Sequence, residues 1–246
     1  MFPIGNIRAM DYCFPDAERP SPARRHCKSW PSDREFIVAE HVVDQSKWPR
    51  TAQFQWFRQF ERPHYSVTTR LDVTRLMQER KPAGVSPFRA CLFAIGSGLH
   101  AVPELCMRFR GDTVVRHDRV TLSMPIPRPG GGFNFGFVPF VEDFAEFDAR
   151  ATAQIEEARA RDTLEPNNSA QDAVAYMSCL PWLDFTSLDN ALPHARDCIP
   201  RVAWGKIVPE AGGWRMAMSI QVHHALVDGA HLGGYFEAVQ EALNRL

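Results

Sequence analysis

Gln221-Val222-His223-His224-Ala225-Leu226-Val227-Asp228-Gly229 is the stretch on which the reading of this chain turns. A largely apolar run, Arg215 to His223, leads into it and reads as a strand in the middle of a sheet. Neighbouring strand residues point to opposite faces, so only one of His223 and His224 can project into a given site. Asp228-Gly229 then turns the chain into a last helix, marked by Leu232, Tyr235, Phe236, Val239, Leu243 and Leu246. Paired histidines in this setting fit three chemistries: rings satisfied at a strand end, ligands for a metal together with Asp228 and His231, or a general base. The strand-turn setting does not give the helical i, i+4 geometry of a metalloprotease motif. An imidazole that titrates near neutrality suits the removal of a proton from an alcohol. Asp228 could fix the turn, or pair with a distant cation and so hold the loop.

Working outward, the pattern alternates between helical and strand periods. Trp48 to Phe60 has apolar residues at 48, 54, 56, 57 and 60 and predicts a helix starting after Ser46. Tyr65 to Asp72 alternates and is rich in β-branched residues, as a strand would be, and Asp72 caps a short helix to about Glu79. Ser86-Pro87 is a strong helix start, and Phe88, Cys91, Leu92, Ile95 and Leu99 follow at helical spacing until Pro103. Residues 108–141 read as strands and hairpins around the turn Arg128 to Gly132, with Phe133, Phe135 and Phe137 alternating after it. The three glycines at 130–132 lack the spacing and the lysine of a phosphate loop. Phe144, Phe147, Ala151, Ile155 and Ala158 mark an amphipathic helix, and Tyr176 to Cys179 a strand. Phe36 to Val38 is a further short strand candidate. Strands and helices mix without regular βαβ alternation, which predicts an α/β (α+β) class with a mixed sheet.

Residues 1–34 differ from the rest. They carry Pro3, Pro15, Pro20, Pro22 and Pro31 and no sustained periodicity, and are read as an irregular extension of a single domain at 35–246. Lys and Arg number 28 against 29 Asp and Glu, so no domain-wide basic field exists to hold nucleic acid. The six cysteines show neither CxxC pairing nor zinc-ribbon spacing and read as reduced, small hydrophobes. No apolar run approaches the ~18 residues of a membrane span. A soluble, cytoplasmic protein without a membrane partner is expected.

The histidine stretch resembles the His-His-x-x-x-Asp-Gly signature of the chloramphenicol acetyltransferase family, shared more loosely by dihydrolipoyl acyltransferases and condensation domains. Pro181-Trp182-Leu183-Asp184-Phe185-Thr186-Ser187 resembles that family's Pro-Trp-x-x-Phe-x-Ser segment. Val43 to Arg50, with Phe54 following, resembles its opening Asp-x-x-x-Trp-x-Arg-x-x-x-Phe. The resemblance covers roughly residues 36–246 and implies the two-layer sandwich of the CoA-dependent acyltransferases. It implies that His224 is the general base, that Ser187 donates to the oxyanion of the tetrahedral intermediate, and that Asp228 pairs with Arg50 to hold the loop, with His223 structural. Acetyl-CoA would be the co-substrate, without a metal, and no residue is assigned to CoA. Transfer would be direct, in a ternary complex, with active sites between the subunits of a homotrimer. Trp56, Phe57 and Met124 fall at positions that would line the acceptor, chloramphenicol or another small alcohol. The chain departs from the family at Glu61-Arg62-Pro63-His64, at Met124 and at Ala203, where a threonine is usual. Two other functions fit the same residues: a ligand-binding trimer without catalysis, and a metal-dependent hydrolase.

Overall fold

The computed structural model describes residues 39–164 and 172–246. The extension at 1–34 and the strand expected at Phe36 to Val38 lie outside them. Nine strands form two sheets among the described residues: β1 (Glu40–Val42), β2 (His64–Asp72), β3 (Met107–Arg110), β4 (Thr113–His117), β5 (Thr121–Pro127), β6 (Phe133–Pro139), β7 (Val174–Cys179), β8 (Arg201–Glu210) and β9 (Gly213–His223). Four α-helices accompany them: α1 (Thr51–Phe57), α2 (Pro87–Ala101), α3 (Phe144–Ala160) and α4 (Gly229–Arg245). The small sheet has the order β1-β4-β3, and the large one β2-β9-β8-β7-β5-β6. In the large sheet β7 runs parallel to both β5 and β8 while the other pairs are antiparallel, so the sheet is mixed.

Local chemistry sets most of these boundaries. Ser86 caps α2 by accepting from the Arg89 N–H, and Pro87 occupies the first turn, where no donor is missed. Asp143 caps α3 in the same way through the Glu146 N–H. Helix α1 is shorter than its apolar pattern predicts. The Asp44 carboxylate accepts from the Ser46 N–H at 3.0 Å, a local turn that delays the helix until Thr51, and the chain leaves it towards Pro63. Asp72 does cap the next turn, accepting from the Thr74 N–H at 2.8 Å, but that turn widens into a π-type helix at Leu76–Arg80.

The register assigns the two faces of the large sheet. Val67, Ile220, Val202 and Met177 lie side by side and are turned towards the helices. Helices α2 and α4 pack closely because Gly98 has no side chain: a Cβ there would sit 2.4 Å from Val239 Cγ2. On the opposite face the register aligns Ser66, Gln221, Arg201, Tyr176, Ser123 and Phe137. No helix among the described residues covers that row; the irregular segment between β7 and β8 lies over its β2–β9 end. The alternating phenylalanines of β6 belong to this second face, and it is Asn134, Gly136 and Val138 between them that are buried. Cys106 and Cys198 are free thiols. No helix among the described residues is long and apolar enough to cross a membrane.

Candidate active site

Strand β9 ends at His223, and the chain folds through residues 224–227 before α4 begins. The two histidines diverge as strand geometry requires. His223 is 3% exposed and packs against His64 and Phe109. Its Nδ1 accepts from the Ala225 N–H, and its Nε2–H donates to the Ala195 carbonyl at 3.1 Å. Both ring nitrogens are used, so the ring is structural. Burial, with the neighbouring His64, pushes its pKa down to about 3.

His224 lies on the other side of the strand, half-buried. Phe57 from α1 stacks on its ring at 3.9 Å between centroids, and Tyr65 from β2 tilts against it at 4.8 Å. Its Nδ1 lies 3.1 Å from the Val227 carbonyl oxygen. A carbonyl only accepts, so Nδ1 carries the proton and Nε2 keeps its lone pair in the neutral ring. Among the described residues Nε2 has no hydrogen-bond partner, and it is not among their buried, unpartnered atoms. The tautomer is therefore the one that a base acting through Nε2 needs.

Asp228 ties the loop down from two directions. Its carboxylate caps α4 by accepting from the Ala230 and His231 N–H groups, and the His231 ring accepts from the Asp228 N–H to complete a capping box. The same carboxylate forms an ion pair with Arg50, which is only 8% exposed. The second terminal nitrogen of Arg50 donates to the His224 carbonyl at 3.0 Å, so one guanidinium grips both ends of the loop. Burial alone would raise the Asp228 pKa, but the His231 N–H and the Arg50 charge outweigh it and hold the group ionised. Tyr65 was read only as a strand residue, yet its hydroxyl donates to Val227, the carbonyl that fixes the His224 tautomer, at 3.4 Å. Burial and the Asp228 charge push its pKa up to about 12. The signal was available: pairing β2 with β9 sets Tyr65 opposite Val222, beside the histidine pair.

Ser187 is elsewhere. It is exposed, makes no hydrogen bond to His224, and opens onto a cavity of about 760 Å³ that Tyr65 also lines. Its segment is fastened to the uncovered face of β9 and β2. Ser219 donates to the Leu188 carbonyl at 3.2 Å, Gln221 accepts from the Asn190 N–H at 3.1 Å, and the Ser66 hydroxyl donates to Asp189. Gly205 of β8 permits this approach, since a Cβ there would lie 2.6 Å from the Leu183 carbonyl oxygen.

The residues expected to line the acceptor part company. Phe57 reaches the site, but as a cover on His224. Trp56 projects outward, 65% exposed, with Phe60 beside it. Met124 does not face an acceptor: it is 1% exposed in the core, because the β5 register places it on the helix-covered face of the sheet. Ala203 is buried. The metal reading finds no support in the donor geometry, since both nitrogens of His223 are engaged and His231 is turned to the helix cap. Among the described residues, potential ligand atoms converge only at Glu40, His117 and Asp172, where Arg110 already pairs with both carboxylates.

A mixed sheet with helices on one face and a paired-histidine loop leading into the last helix defines a CoA-dependent acyltransferase fold. The family model for chloramphenicol acetyltransferase matches residues 39–240. A chloramphenicol acetyltransferase of Bacillus pumilus is 28% identical over 193 residues, covering 76% of this chain and 86% of that protein. A solved chloramphenicol acetyltransferase structure superposes with a TM-score of 0.74 at 25% identity, covering 83% of this chain and 100% of that one. The dihydrolipoamide acetyltransferase of Azotobacter vinelandii shares the fold, with a TM-score of 0.58 at 16% identity. The chain belongs to the chloramphenicol acetyltransferase family and is an acyltransferase.

Proposed function

We propose that the protein transfers the acetyl group of acetyl-CoA to a hydroxyl of a small acceptor, chloramphenicol or a related alcohol, with His224 as general base. The observation that carries this reading is the Nδ1–H bond to Val227, which leaves Nε2 free to take the proton. As the acceptor oxygen attacks the thioester carbonyl, its proton moves to Nε2. The C–S bond then breaks, and the departing thiolate takes that proton. Ser187 donates to the oxyanion in between. Arg50 and Asp228 position the loop without touching substrate. Phe57 and Tyr65 restrict the ring to one orientation, which lowers the entropy lost on reaching the reactive geometry.

His224 lies on the Tyr65 side of the β2–β9 edge, whereas the Ser187 segment lies on the side of Ser66 and His223. Base and oxyanion donor therefore meet most simply when two copies of the chain face each other, and a homotrimer with active sites between subunits supplies that arrangement. The reaction needs no metal, and a cytoplasmic location would supply its acetyl-CoA. Release of CoA thiol from acetyl-CoA in the presence of chloramphenicol or another alcohol is the expected result. Its disappearance in His224→Ala, with the circular dichroism spectrum kept, assigns the base. Equal CoA release by His224→Ala would remove His224 from the mechanism.

A further inference from the structure

We propose that the natural acceptor is a neutral, polyhydroxylated, sugar-like alcohol held in the cavity beside Ser187. The inference rests on the acetyltransfer reading and deepens it by naming the acceptor class. Small-molecule pockets of about 300–1,000 Å³ are mostly apolar with a few polar groups. This one, at about 760 Å³, reverses that balance. Some of its polar groups serve the fold: Ser66 is bound to Asp189, the Gln221 side-chain amide oxygen to the Asn190 N–H, and the His64 ring to the Asp197 carbonyl. Others do not. Ser187, Glu61, Arg62, the His194 ring and the Asn190 side-chain amide line the cavity with no side-chain hydrogen bond or ion pair among the described residues.

Those free groups are acceptors and donors together, and the Glu61 and Asp189 carboxylates share the lining with the Arg62 guanidinium. Such a lining has no single sign with which to select an ion. It matches a ligand whose hydroxyls each donate and accept, as neighbouring hydroxyls of a sugar do. Carboxylate oxygens take hydroxyl protons, while the guanidinium and the amide give protons to hydroxyl oxygens. An acceptor presenting an aryl ring or chlorinated carbon here would strip water from these groups and return nothing. Sites built to hydrogen-bond a substrate hydroxyl discriminate against analogues lacking it by up to ~10⁴–10⁵. The transfer itself is unchanged: one acceptor hydroxyl loses its proton to His224 Nε2 and forms the new C–O bond to the acetyl carbon.

The test is CoA release from acetyl-CoA by the intact protein with trehalose, cellobiose and inositol as neutral polyols, glucosamine and gluconate as charged ones, and chloramphenicol as the apolar reference. A kcat/KM for a neutral polyol at least tenfold above that for chloramphenicol is expected. Glu61→Leu and Arg62→Leu should each reduce or reverse that ratio, chiefly through KM. Preference for chloramphenicol or for a charged polyol overturns the acceptor class and leaves acetyl transfer standing. Calorimetry with the same compounds separates the two levels. Polyol binding without CoA release keeps the ligand class and overturns the acetyltransferase reading, whereas neither binding nor release overturns both.

Discussion

Around His224 the chain is tied by an ion pair, a helix capping box and two aromatic contacts. Around Ser187 it is pinned from below by three side-chain hydrogen bonds, while its outer polar groups stay unmatched. The first region is preorganised for one act, presenting a lone pair in a fixed direction. The second is a platform with spare hydrogen-bonding capacity, which is what a binding surface needs and a folded core avoids. On the proposed function, reaction chemistry and acceptor choice reside in different parts of the chain and should respond to different substitutions.

The largest expected effect is on the base side. His224→Ala should lower turnover by on the order of 10²–10⁴ through loss of general base catalysis. Ser187→Ala, on the other side, should cost about 10²–10³ in kcat with little change in thermal stability, as for other oxyanion donors. Equal stability losses in both variants would erase the contrast between the regions. Asp228→Asn should act on fold and activity together. Removing one partner of a buried ion pair costs about 3–5 kcal/mol, and the partly exposed Asp228 side chain places this case at the low end. Denaturant titration measures it.

A smaller effect sharpens the comparison from the platform side. Gly205→Ala would press a methyl group against the Leu183 carbonyl and displace the Ser187 segment. Turnover should fall on the order of tenfold, since misplacement by about 1 Å can cost up to 10²-fold, while the His224 loop keeps its geometry. The effect expected to be smallest at neutral pH is that of His223 protonation. His223 is neutral in the fold, with a pKa of about 3, whereas in the unfolded chain it protonates near its ordinary value of 6.5. Its contribution to stability is therefore present above about pH 6.5 and is lost as pH falls towards 3, with a slope of at most about 1.4 kcal/mol per pH unit. His223→Gln should flatten that part of the stability profile, and an unchanged profile would contradict the assignment.

The base region was far more legible in the sequence than the platform. Asp228-Gly229, Ser86-Pro87 and the apolar spacing of α2 and α4 signal local events, caps and helical faces, which depend on neighbours within a few residues. The residues near Ser187 depend on strands distant in the chain. Ser66, Gln221 and Asp189 acquire meaning only when β2 and β9 pair and the segment before β8 lies across them. Strand β8 was missed because Gly205, Lys206 and Pro209 interrupt its apolar run, and its bulge falls between Trp204 and Ile207. Met124 was placed at the acceptor by position in the chain, but a one-residue difference in strand facing moves a side chain from cavity to core. The phenylalanines of β6 teach the same lesson: alternation showed that a strand was present and said nothing of which face is buried.

Nitrogen-15 chemical shifts of the His224 ring test the central claim most directly. They would be recorded above the imidazole titration range and assigned by the signals lost in His224→Gln. A protonated, pyrrole-like Nδ1 and an unprotonated, pyridine-like Nε2 are the result the Val227 hydrogen bond requires. The reverse pattern, with the proton on Nε2, would leave no lone pair facing an acceptor and would contradict the account.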